Sequence, residues 1–115
     1  MSTDLDALRR LAEEGNEQAA DRLAVLAAER ADVQELKHLI DAGNETAANL
    51  LATLAAGRGD VDTLNYLIDS GNELAADRLA EVAAAHGDVD TLNRLADDGS
   101  EIAAGLLGRI ISEAE

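Results

Sequence analysis

The chain has no cysteine, no proline, no phenylalanine and no tryptophan, and a single tyrosine, Tyr66. Without cysteine, neither disulfides nor thiolate chemistry can contribute. Without Phe and Trp, any core must be built from Leu, Ile, Val and Ala. Basic residues are scarce, nine against 24 acidic, for a formal net charge of −15. Such a surface repels phosphate, so no nucleic-acid partner is expected. Attraction to anionic membranes is disfavoured for the same reason. No apolar run is long enough to span a bilayer, so no membrane partner is expected either. Only Met1-Ser2-Thr3 precedes the first recognisable unit. No signal peptide is therefore expected, and the compartment reads as cytoplasmic.

What the chain does have is repetition. The segment from Asp60 to Gly87, DVDTLNYLIDSGNELAADRLAEVAAAHG, is followed at once by a new DVDTLN from Asp88, and related copies start at Asp32 and Asp4. The period is 28 residues, and four copies (4–31, 32–59, 60–87 and 88–115) fill a chain of 115. A fixed period of this size marks a repeat architecture. Ala, Glu, Lys, Leu and Arg make up 62 residues, a helical bias. Disorder, the competing reading for an acidic chain, is opposed by 47% hydrophobic content in regular stripes.

Within the third copy, Asp60 is placed to cap a helix whose apolar residues Val61, Leu64, Leu67 and Ile68 share one narrow stripe. Gly71 stops it, Asn72 caps the next helix, and Glu73 sits in the first turn where the helix dipole favours negative charge. The second helix carries a wide stripe, Ala75, Ala76, Leu79, Ala80, Val82, Ala83 and Ala84, which suits packing on both flanks. Carried through the chain, this predicts helices near 5–14, 17–30, 33–42, 45–57, 61–70, 73–85, 89–98 and 101–113. The connections are so short that successive helices must run antiparallel. The fold expected is all-α, an α-solenoid of four 28-residue helix–turn–helix repeats in one domain, 1–115.

Eight positions are identical in all four copies, and each has a packing, capping or turn reason. They are the Asp cap, two leucines of the first helix, the turn glycine, the first-turn Glu, and two alanines and a leucine of the second helix. Function, if any, should sit where the copies differ. One variable position of the first helix holds Arg10, His38, Tyr66 and Arg94, a ladder of which Tyr and Arg are typical interface anchors. A tolerant, solvated surface position is the simpler reading of it. A second variable face includes Leu50 and Leu74, together with Ile102 and Leu106, which meets either a partner's apolar groups or the neighbouring repeat. The last helix carries Ile102, Leu106, Leu107, Ile110 and Ile111 with little polar relief. Terminal repeats normally need a polar outer face, so Ile102, Leu106, Ile110 and Ile111 are candidates for self-association unless they fold back onto preceding helices. The first copy looks better finished, with Arg9, Arg10, Glu13 and Glu14 around a thin stripe.

The Asp-Val-Asp runs at Asp60/Asp62 and Asp88/Asp90 lack the further ligands of a calcium loop and read as caps. His38 and His86 stand far apart in the chain, and His86 suits a helix C-terminus. No metal, cofactor or catalytic constellation is expected.

The segment LAEVAAAHGDVDTLN (79–93) resembles the tetratricopeptide and Sel1-like repeats. It has a small residue after Leu, a Gly-Asp turn and a bulky apolar residue opening the next helix. The pattern Gly71-Asn72 with Ala75-Ala76 is also similar to Sel1-like units. The resemblance implies a right-handed helix–turn–helix superhelix with a peptide-binding groove. The unit here is shorter than about 34 residues, alanines replace the family's aromatic packing positions, and its basic carboxylate clamp has no counterpart. An ankyrin pair is similar around LAAGRGDVDTLNYLIDSG, without its TPLH turn. Arginine outnumbers lysine eight to one, which fits a GC-rich coding history. The reading adopted is nonetheless an engineered or idealised array built on a natural repeat. The function expected is a non-catalytic scaffold. The alternatives are a module gripping a peptide or protein through a variable face, and a homo-oligomer joined through the last helix.

Overall fold

The computed structural model describes residues 3–114, with side chains over 5–114, and is all-α, of the α-solenoid class. Among the described residues there are eight helices and no strand. The first helices of the four repeats are α1 (Thr3–Glu13), α3 (Val33–Asp41), α5 (Val61–Asp69) and α7 (Val89–Asp97). The second helices are α2 (Glu17–Glu29), α4 (Glu45–Arg58), α6 (Glu73–Ala85) and α8 (Glu101–Ala114). The helix starts recur every 28 residues from α2 onward. One departure is at the beginning. α1 starts at Thr3, so Asp4 stands inside the first turn rather than before it, and its side chain lies outside the described residues.

Both kinds of turn use one device. After α3, the Gly43 N–H donates to the Ile40 carbonyl at 2.9 Å and the Asn44 N–H to the Leu39 carbonyl at 2.9 Å. After α6, the Gly87 N–H donates to Ala84 at 3.1 Å and the Asp88 N–H to Ala83 at 2.8 Å. This paired closure satisfies helix-end carbonyls and requires a left-handed residue just past the helix. Gly43 has φ +95° and Gly87 φ +68°. The residue that closes one helix then caps the next. Asn44 Oδ1 accepts the Ala47 N–H at 2.7 Å, and Asp88 Oδ1 accepts the Thr91 N–H at 3.1 Å. No chain is left over between closure and cap, which is why each turn is so short.

The chain forms two compact units, one up to Leu54 and one from Ala55, and the division falls within α4. In the first, α2 packs against α1 and α3. In the second, α6 packs against α5, α7 and α8, and α7 also packs against α8. The cores are leucine and alanine. Leu36, Leu64, Leu67 and Leu92 are wholly enclosed, as are Ala47, Ala52, Ala75 and Ala80 of the second helices. The small alanines let neighbouring helices approach closely. α6 buries Ala75, Leu79, Ala80, Val82 and Ala83, whereas α5 buries only Leu64 and Leu67.

Ala31 is the exception among the turn residues. It takes φ +56° where the equivalent places hold Gly59 and Gly87. A Cβ in the left-handed region costs roughly 1–2 kcal/mol. Ala31→Gly is therefore expected to raise stability by about 0.5–1 kcal/mol after glycine's greater unfolded freedom is deducted. Gly71→Ala, at φ +95° with open space around the new methyl, is expected to lower it by about 1 kcal/mol or more. Denaturant midpoints of the two variants, moving in opposite directions, check the assignment.

Candidate functional site

The ladder positions lie on the first helices and face water. Arg10 on α1, His38 on α3, Tyr66 on α5 and Arg94 on α7 are all exposed, Tyr66 by 37%. Two side-chain bonds show that first helices are neighbours within each unit. Arg9 Nε donates to Glu35 Oε1 at 3.0 Å, joining α1 to α3. Arg94 Nη2 donates to Asn65 Oδ1 at 3.4 Å, joining α7 to α5. Arg10 and His38 thus stand on adjacent helices, and so do Tyr66 and Arg94.

The second variable face is less open. Leu50 on α4 and Leu74 on α6 are half-buried. Arg78 and Glu81 on α6 pair at 3.1 Å along one helix, an exposed contact of small energetic weight.

α8 departs most from its equivalents. Ala103 is its only buried residue among those described. Ile102 is 41% exposed and Ile111 51%, while Leu106, Leu107 and Ile110 are half-buried. The apolar residues of this helix therefore fold partly inward, and Ile102 and Ile111 do not.

Two grooves are brought together by the fold. In the first unit, a groove of about 190 Å³ lies between the turn after α1 and the α3 end, lined by Arg9, Ala12, Asn16, Glu35, His38 and Asn44 among others. In the second, a groove of about 490 Å³ is lined by Ile68, Asn72, Ala76, Leu95, Ser100 and Ile102 among others. The two are the same place two repeats apart, as Asn16 against Asn72 and Asn44 against Ser100 show. In the first, the Asn44 amide donates to Asp21 Oδ1 at 2.9 Å, tying the second repeat's turn to α2. No sequence signal marks these grooves, because their walls come from residues more than 20 positions apart. The 28-residue period does say that any such groove must recur.

The carboxylates and histidines of the turns are engaged. Asp60 and Asp88 cap their helices, and each also accepts a 2.6 Å bond from a threonine hydroxyl, Thr63 and Thr91. His86 Nδ1 donates to the Val82 carbonyl at 2.9 Å, at the end of α6. Among the described residues, no group of three or more His, Asp or Glu could hold a metal ion. None of the described helices is long and apolar enough to cross a membrane.

No protein-family model matches the chain, and neither a curated protein nor a solved structure matches it.

The Thr91 hydroxyl, then the Thr91 N–H, hold the Asp88 carboxyl below its ordinary value of 3.8 against an opposing effect of desolvation, and the nearby charges of Arg94 and His86 add smaller pulls the same way. A carboxylate whose folded-state pKa is depressed favours the fold above its unfolded pKa. That contribution is lost as pH falls through the folded value. Asp88→Asn keeps a capping side chain and removes the charge. The stability difference between wild type and this variant is expected to be full at neutral pH and to shrink below pH 3.8. Denaturation midpoints from pH 7 down to pH 2 test the sign.

Proposed function

We propose that this chain is a non-catalytic helical-repeat scaffold, an engineered or idealised array built on a tetratricopeptide- or Sel1-like helix pair. One observation carries the reading: most of the positions repeated without change go to packing, turns or caps. The first-helix leucines of copies two to four are buried, and Ala19, Ala47, Ala75 and Ala103 of the second helices are buried too. The turn glycines Gly15, Gly43, Gly71 and Gly99 all have positive φ. Asp32, Asp60 and Asp88 all cap helices. These uses support reading the repeat as written for stacking. A cytoplasmic setting belongs to the same proposal. Circular dichroism with and without a chelator tests it. A cooperative helical transition of unchanged midpoint is expected, and a helical signal that requires a metal or small ligand would overturn the proposal.

A second reading is a module that grips a basic peptide. It is favoured by the exposure of Tyr66, by 37%, on a chain of net charge −15. Capture from a library of basic peptides is expected to weaken steeply with salt, and Tyr66→Ala or Leu74→Ala to abolish it. Capture unaffected by either substitution removes both faces from consideration.

A further inference from the structure

We propose that copies of this chain associate head to tail, the α1–α2 pair of one copy seating on α8 of the next as α7–α8 seats on α6. The two ends are bare in complementary ways. On the first helices, Leu39 and Leu95 are 4% and 3% exposed, in repeats whose first helix packs on the preceding second helix, whereas Leu11 is 40% exposed. Leu8 is likewise half-buried where Leu36 and Leu92 are enclosed. Among the described residues, α1 packs only on α2. On the second helices, Leu79 and Ala83 of α6 are 1% and 3% exposed under the repeat that follows, whereas their equivalents Leu107 and Ile111 are half-buried and 51% exposed. Among the described residues, α8 packs only on α6 and α7. Each end therefore presents the leucine- and isoleucine-bearing half of a junction that the chain already builds between α6 and the α7–α8 pair.

Polar detail supports the same seating. Arg10 occupies the position of Arg94, and Asn93 that of Asn65, so the 3.4 Å bond from Arg94 to Asn65 has a ready counterpart across the joint. Charge favours this pairing over tail to tail. The first repeat holds four of the nine basic residues, Arg9, Arg10, Arg22 and Arg30. Each of these two repeats holds seven carboxylates, but the last offsets them with only Arg94 and Arg109, so two last repeats would repel more than a first and a last. Gly105 stands where Asp21 holds Asn44, so the joint lacks that bond and is weaker than the internal one. A heterologous joint leaves one head and one tail open on each pair, so further copies add until the assembly ends or closes into a ring.

Sedimentation and light scattering of the whole chain give the first test. The mean mass is expected to climb with concentration past twice the 12.0 kDa chain, and to climb further in salt, which screens the net charge. A monomer at every concentration and salt overturns the proposal, whatever any variant does. Leu11→Glu spoils the head and Ile111→Glu the tail. Each alone is expected to be monomeric with an unchanged helical signal, and an equal mixture to stop at the dimer, since one good head meets one good tail. A dimer of Leu11→Glu alone means tail-to-tail pairing and overturns the proposal. A mixture that stays monomeric, although both variants are folded, does so as well.

Discussion

A leucine on the first helix of a repeat leaves water only when the second helix of the preceding repeat lies beside it. Leu95 is enclosed where α7 packs on α6, and Leu39 where α3 packs on α2. Leu11, with no such neighbour, stays 40% exposed. At roughly 25 cal/mol per Å² of apolar surface, an isolated helix pair of this composition buries too little to hold its own backbone in place. Stability is thus shared between neighbours, as in quasi-one-dimensional repeat arrays. The absence of large aromatic side chains sharpens the dependence. Alanines at positions such as 75 and 80 bring the helices close enough for leucines alone to fill the space.

The turns are the second half of the constraint. Leucines stack in register only if every helix begins at the same phase. The closure-and-cap arrangement sets that phase within three residues: a left-handed residue ends one helix, and its successor caps the next. Asn72 both donates its N–H back to Leu67 and accepts the Ala75 N–H on its side chain, so the turn has no slack. Ala31 shows that the geometry is imposed by the stack and not by glycine, because alanine is held there at φ +56°.

These demands divide the molecule into positions that the stack encloses or fixes and positions that stay exposed to water. The former are enclosed, capped or left-handed. The latter include the ladder through Arg10, His38, Tyr66 and Arg94, and the outer face of α8. Within the second unit, α6 hides Leu79 and Ala83 under the following helix pair, whereas Ile102 and Ile111 of α8 face outward.

Much of this was legible in the residues. The 28-residue period, the helical stripes, Asp and Asn as caps and glycine as the stop follow from local chemistry, and the helices fall within two residues of where these signals put them at most ends. Asp4 departs from the pattern: the first helix already starts at Thr3, so this residue lies inside its first turn. What the residues left open concerned neighbours: whether Leu106 and Ile110 fold inward while Ile102 and Ile111 do not, and that grooves lie between one turn and the next. Caps and stops act through hydrogen bonds to residues three to five positions away, so the sequence by itself determined the elements. Burial depends on what lies alongside, often 28 residues distant, and only the tertiary structure decided that.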